Sequence, residues 1–249
     1  MTFEPVAPDQ RVAVVTGGDG GIGCATVALL RARGERVVVL TRSGEPGPDR
    51  YLADLADADA TRAAVEAIGR DYGRIDSLIL AAGAKRPGTV GGTLDLATWE
   101  QTFNVNVRPL FVCVDAALPF LRLSALPAIV TLASASGHAE KGALAYSAAK
   151  GAVLAFTRSL ALDLIGEGIR VNAVLPGYTV TPMARPLPPE KLAMKVAENV
   201  AGRLGTSEDV ARAIGYLVSG DAATVSGTVL DVGHVQGAFV DSRSLTTSN

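Results

Sequence analysis

Tyr146 and Lys150 stand four residues apart in Tyr146-Ser147-Ala148-Ala149-Lys150, a spacing that puts a phenol and an ammonium on one face of a helix. An ammonium beside a phenol favours its ionised form, which makes an acid/base out of a group that is otherwise too weak. Free tyrosine has a pKa of about 10, so bringing it down by two to three units takes roughly 3–4 kcal/mol of differential stabilisation. Ser134, in Leu132-Ala133-Ser134-Ala135-Ser136-Gly137, adds a hydroxyl upstream that can hydrogen-bond a substrate oxygen, with Ser136 as the alternative. A second constellation is the glycine-rich turn Thr16-Gly17-Gly18-Asp19-Gly20-Gly21-Ile22-Gly23, which follows a β-branched run and opens a helix-like segment. The backbone N–H groups of such a turn can meet a pyrophosphate at the helix N-terminus, where the macrodipole also favours negative charge. A proton donor, a hydroxyl and a dinucleotide turn together describe hydride chemistry on a nicotinamide dinucleotide.

These residues need elements that hold them at one edge of a sheet. Apolar runs bounded by turn residues recur at Val12-Ala13-Val14-Val15, Val37-Val38-Val39-Leu40, Leu78-Ile79-Leu80, Ala128-Ile129-Val130 and Arg170 to Val174, with a last strand expected at Thr228 to Val232. Short continuous runs of this kind are strands covered on both faces. Helix-like segments lie between them, at Gly21 to Arg33, Asp57 to Tyr72, Asp95 to Leu121 and Ala145 to Ile165. The alternation predicts an α/β fold, a single Rossmann-type doubly wound parallel sheet flanked by helices on both faces. Past Pro176 the prolines 182, 186, 188 and 189 interrupt the pattern before Ser207-Glu208 opens another helix, so residues 182–201 read as an irregular substrate lid. Residues 1–9 and 241–249 read as poorly ordered tails.

The bulk properties exclude other classes. The chain has 249 residues, 48% of them hydrophobic, which suits one domain spanning 1–249 with a core that needs no disulfides. A net charge of -2, spread along the chain, gives no sign of a nucleic-acid or membrane partner. Ala143 to Ile165 is the most apolar long stretch, but Lys150, Arg158 and Asp163 break it. Cys24 and Cys113 lack any metal-ligand spacing and read as two buried thiols, so no metal site is expected. The N-terminus has no apolar signal segment, and a cytoplasmic protein is expected.

The glycine spacing resembles the TGxxxGxG signature of the short-chain dehydrogenase/reductase family, and Tyr146/Lys150 its YxxxK motif. The resemblance runs from about residue 10 to 240. It implies a catalytic tetrad of Asn106, Ser134, Tyr146 and Lys150, with Asn106 positioning a water in a proton relay and Lys150 also holding the nicotinamide ribose. It implies cofactor contacts at Gly17, Gly21, Ile22, Gly23, Thr41, Arg42, Asp54, Leu55, Ala82 and Gly83, at Tyr146 and Lys150 themselves, and at Pro176, Gly177, Thr179 and Thr181. Asp54 would lie beside the adenine, though a bare aspartate at a strand end is equally a turn former. The family's Asn-Asn-Ala-Gly is Leu80-Ala81-Ala82-Gly83 here, and its closing Gly-Gly is Gly233-His234.

Thr41 occupies the slot where NAD-selective members carry an aspartate for the ribose hydroxyls, and Arg42 can pair with a 2'-phosphate. NADP(H) is therefore expected in preference to NAD(H), although Gly20 replaces the basic residue often found before the second glycine of NADP-selective members. The function implied is an oxidoreductase interconverting a small-molecule ketone or aldehyde and an alcohol. The alternatives are an NAD-linked secondary-alcohol dehydrogenase and a non-catalytic dinucleotide-binding regulator on the same fold. Tyr178, Met183, Leu187 and Met194 suggest a mostly apolar pocket. His138 reads as a loop residue and His234 as structural. Lys85 and Arg86, just after the fourth strand, read as solvated charges or as cations that meet an anionic substrate. Val153, Phe156, Leu160 and Leu164 on one helix suggest a partner helix and hence a homo-oligomer, a dimer or tetramer.

Overall fold

The structure is a computed structural model that describes residues 7, 9–182, 184 and 187–233. Apart from Ala7 and Asp9, the expected tails lie outside the described residues, as do Met183 and His234.

Among the described residues, seven parallel strands form the central sheet. In chain order they are β1 (Val12–Thr16), β2 (Arg36–Thr41), β3 (Arg50–Leu52), β4 (Ser77–Leu80), β5 (Ala128–Leu132), β6 (Arg170–Pro176) and, after the short paired strands β7 (Thr179–Val180) and β8 (Gly205–Thr206), β9 (Val229–Val232). The spatial order is β3-β2-β1-β4-β5-β6-β9. The order reverses direction between β1 and β4, and in an open α/β sheet a ligand binds outside the carboxyl ends of the strands at that switch. Consecutive side chains of each strand alternate between two cores. Val12, Val14, Val38, Leu40 and Leu78 face one side; Ala13, Val15, Val37, Val39 and Ile79 face the other. Both sets are buried, so the sequence shows unbroken apolar runs where a half-exposed sheet would alternate.

Among the described residues, six helices cover the two faces. On one side α1 (Gly21–Ala32) packs against α7 (Ser207–Val218); on the other lie α2 (Ala58–Tyr72), α3 (Leu96–Asn106), α4 (Arg108–Leu121) and α5 (Leu144–Leu164). The starts follow local chemistry. Asp57 accepts hydrogen bonds from the Asp59 and Ala60 amides, Asp95 caps the Thr98 amide, and Thr206 with Asp209 forms a capping box.

Three expectations need correction. The segment Asp95 to Leu121 is two helices, broken at Val107, with Pro109 in the first turn of α4 where a missing N–H costs nothing. Taken together, Leu96–Leu121 is long and apolar enough to cross a membrane (mean hydropathy 1.2), and half of it is buried in this fold. The lid is not wholly irregular, because α6 (Pro189–Ala197) begins at Pro189 for the same reason that proline suits a first helical position. Cys113 is buried, and burial pushes its thiol up to about 12, but Cys24 is exposed on the outer face of α1.

Candidate active site

The glycine turn is built by close backbone approaches. Gly17 has φ +67°, and a Cβ there would stand 2.8 Å from the Ala82 Cα at the end of β4. A Cβ on Gly23 would fall 2.1 Å from the Gly17 carbonyl oxygen, so the first turn of α1 can close on the strand only with glycine at that position. Gly20 caps α1 with no side chain bonded to its free N–H groups, which leaves them directed at whatever lies above β1. Thr181 comes up to the same place, because a Cβ on Gly21 would meet Thr181 and the Ser207 hydroxyl at 3.1 Å. The residues present therefore fit a dinucleotide pyrophosphate. Ser207 was legible in the sequence only as a helix start.

At the end of β2 the geometry adds a group that sequence reasoning missed. The Asp19 carboxylate accepts from the Thr41 hydroxyl at 2.7 Å and from both guanidinium nitrogens of Arg50 at 2.8 Å. The Arg50 bonds hold its carboxyl below the usual carboxylate range, against a smaller opposing effect of burial. A carboxylate thus stands at the slot that Thr41 leaves uncharged, delivered from the glycine turn. Arg42 is exposed beside it. Asp54 accepts from the Ala56 amide at 3.0 Å and forms the turn that its alternative reading described. Ile22 and Leu55 are half-buried against the two cores, and Gly177 donates to the Val232 carbonyl, fixing the chain after Pro176. Thr179 returns a hydroxyl to the Gly177 carbonyl at 3.2 Å.

The catalytic candidates converge at the ends of β4 and β5. Tyr146 stands in the first turn of α5, where the Ser134 hydroxyl acts on its phenol, whereas Ser136 donates to Glu140. Lys150 is 4% exposed, donates to the Leu132 carbonyl at 2.6 Å and lies 5.8 Å from the centre of the Tyr146 ring. Burial pushes its ammonium down to about 8. The phenol does not follow the expected direction. Burial raises its pKa, the Ser134 hydroxyl lowers it, the Glu140 carboxylate raises it again, and the net shift is upward. The Lys150 charge is itself desolvated and sits over the ring face, too weakly placed to reverse that.

Asn106, 2% exposed at the end of α3, clasps the loop after β4. Its Oδ1 accepts from the Ala84 amide at 3.1 Å, and its Nδ2 donates to the Ala84 and Thr102 carbonyls at 2.9 and 2.8 Å. A Cβ on Gly83 would stand 2.8 Å from Asn106 Oδ1 and 3.5 Å from Lys150 Nζ, so the glycine separates the two side chains. The Asn106 side-chain amide is thus committed to main-chain groups of Ala84 and Thr102. The chain after β4 is tied to β1 by Thr16, whose hydroxyl accepts from the Ala82 amide at 3.2 Å.

Lys85 is not a free surface charge. It pairs with Glu140 at 2.5 Å, while Arg86 is exposed. His138 ends the short 3₁₀ turn Ala135–Gly137 and lines a polar cavity with Arg158, Thr228 and Asp231. Of the residues expected in the lid pocket, Met194 is exposed on α6, which carries an apolar groove lined by Leu192, Val196 and Val200. Among the described residues no group of three or more His, Cys, Asp or Glu side chains could hold a metal ion.

Comparison with known proteins agrees with this architecture. A family profile described as enoyl-(acyl carrier protein) reductase matches residues 17–234. The chain is 36% identical over 236 residues to cis-4-hydroxycyclohexanecarboxylate dehydrogenase of Sinomonas cyclohexanicum, covering 90% of this chain and 95% of that one. It is 37% identical over 240 residues to 2-(R)-hydroxypropyl-CoM dehydrogenase of Xanthobacter autotrophicus, covering 89% and 96%. Among solved structures, ligand-free aldohexose dehydrogenase of Thermoplasma acidophilum superposes with a TM-score of 0.81 at 29% identity, covering 89% of this chain and 92% of that one.

Proposed function

We propose, from the premise that the chain belongs to the short-chain dehydrogenase/reductase family, that it interconverts a secondary alcohol and a ketone on a small molecule. As a member it is an oxidoreductase acting on CH–OH groups with NAD(P). The observation that carries the finer reading is the Ser134 hydroxyl acting on the Tyr146 phenol, with the buried Lys150 ammonium against the same ring. A bound nicotinamide supplies or accepts hydride at the substrate carbon. In reduction the carbonyl oxygen gains negative charge, and the Tyr146 phenol, protonated at neutral pH because burial raises its pKa, gives that oxygen its proton. Ser134 donates a second hydrogen bond to the same oxygen and fixes its place. In the reverse direction Tyr146 takes the proton from the alcohol. Lys150 would hold the nicotinamide ribose, and Asn106 clasps the loop at Ala84 beside it. The relatives named for hydroxycyclohexane and hydroxypropyl substrates support a secondary alcohol.

The cofactor reading is NADP(H) in preference to NAD(H), supported by Thr41 in the acidic slot and the exposed Arg42. Asp19 opposes it, since its carboxylate sits at the same strand end. A charge-assisted bond contributes about 1.5–3 kcal/mol, so Arg42→Ala should weaken NADPH binding by roughly ten- to a hundredfold and leave NADH nearly unchanged. Asp19→Asn should tighten NADPH, and Thr41→Asp should favour NADH. Fluorescence titration of both dinucleotides, run beside turnover on a panel of ketones, tests the reading. Equal losses for the two dinucleotides in Arg42→Ala would remove Arg42 from the site, and absence of ketone-dependent oxidation of either dinucleotide would remove the function.

The assembly we propose is a homo-oligomer, though not through the stripe expected from the sequence. Val153 and Leu164 are core residues, and Phe156 and Leu160 pack against that core. Exposed apolar side chains include Phe111 on α4, 61% exposed, and Leu162 and Ile165 at the end of α5, 74% and 69% exposed. Light scattering should find a dimer or tetramer, and Phe111→Lys with Leu162→Lys should shift it toward monomer. A wild-type monomer at micromolar concentration would end the proposal.

A further inference from the structure

Lys85 and Glu140 come from loops 55 residues apart, and their ion pair lies against the candidate acid/base. The Lys85 ammonium is 5.6 Å from the centre of the Tyr146 ring, as close as Lys150 at 5.8 Å. We propose that the Lys85–Glu140 pair is a positioning element for Tyr146: the two side chains present opposite charges to the phenol, and their balance sets how readily it releases its proton. The inference rests on reading Tyr146 as the acid/base.

The pair is held in place by backbone. Gly88 donates to the Gly142 carbonyl at 2.9 Å and forms a parallel bridge with Ala143, so the loop after β4 is fixed to the chain entering α5. Asn106 fixes the same loop at Ala84. Glu140 would be raised by its burial, but the Lys85 and Ser136 hydrogen bonds outweigh that and keep it ionised. Its carboxylate in turn raises the Tyr146 phenol. The groups facing Tyr146 from the surrounding elements are Lys150 on α5, Ser134 after β5, Glu140 before α5 and Lys85 after β4. Lys195 on α6 acts on Glu140 from farther off and is itself paired with Glu198 at 2.6 Å. Lys85 is thus the cation in direct contact with Glu140, and losing either partner leaves the other's charge facing the phenol uncompensated.

The opposite signs give the test. Lys85→Gln leaves Glu140 unpaired and should move the midpoint of the kcat/KM profile for alcohol oxidation to higher pH. Glu140→Gln leaves Lys85 unpaired and should move it to lower pH. Each shift should be about 0.5–1 pH unit, since a unit charge about 6 Å away acts through a half-exposed, screened boundary. Lys85→Gln combined with Glu140→Gln should return close to the wild-type midpoint, and Lys85→Arg should keep it. Ultraviolet difference titration of the phenol, referenced to Tyr146→Phe, should show the same displacements without turnover. Lower rates or lower Tm with unmoved midpoints, or shifts of the same sign in both single variants, would show the pair to be structural and overturn the proposal. A Tyr146→Phe enzyme that stays active would instead remove the premise, so the two failures are distinguishable.

Discussion

Tyr146→Phe is expected to lower kcat by about 10²–10⁴, the usual contribution of a positioned general acid, while leaving NAD(P)H affinity within about twofold. The phenol acts on charge that develops on the substrate oxygen, so its removal raises the barrier more than it disturbs the ground state. The ring stays, so the packing of α5 against the sheet and the Lys85 and Lys150 contacts with the ring face are kept. Stopped-flow turnover with a fluorescence titration of the dinucleotide separates the two quantities. A variant that kept more than about a tenth of the wild-type kcat would contradict the role given to Tyr146.

Lys150→Met should abolish turnover and at the same time stabilise the fold. The ammonium is desolvated in the native state, where its pKa falls from 10.5 to about 8. Below pH 8 the folded chain carries that unfavourable charge in full, and a shift of this size corresponds to about 3 kcal/mol, reduced by about 1 for the lost bond to the Leu132 carbonyl. Between pH 8 and 10.5 the unfolded chain binds more protons at this position, so wild-type stability rises with pH. The advantage of the methionine should therefore be greatest at and below neutral pH and vanish above about pH 10.5. Urea unfolding of both proteins at pH 7 and pH 10 checks it. A destabilised variant at pH 7 would mean that Lys150 is held by interactions stronger than its burial penalty.

The sheet was legible because its strands are buried on both faces and its turns are punctuated by glycine and acidic caps. Thr16-Gly17 and the motif around Tyr146 sit in that frame with little freedom. What was hidden has physical reasons. The break at Val107 has no glycine, and Pro109 looked like a residue inside one long helix, although it marks the start of the second. Pro189 was read as an interruption where it begins α6. On α5 nearly every face is apolar, so the pattern could not tell Val153 in the core from Leu162 in solvent. The side-chain geometry depended on partners far apart in sequence. Asp19 meets Arg50 across 31 residues and Lys85 meets Glu140 across 55, and no local spacing encodes either contact.

The two ties on the loop after β4 divide it by how much change it can absorb. Between the Asn106 clasp at Ala84 and the Gly88 bridge to Ala143, only Lys85, Arg86 and Pro87 lie free of a backbone anchor. Adding or deleting one residue there would shift Lys85 out of register with both Glu140 and the tyrosine ring. Beyond the bridge, Thr89 to Gly92 turns back through exposed chain, and Val90 is 77% exposed. Redesign of the loop by grafting or lengthening therefore belongs at the turn from Thr89 to Gly92, where new side chains can be brought to the mouth of the site without disturbing the span that holds its charges.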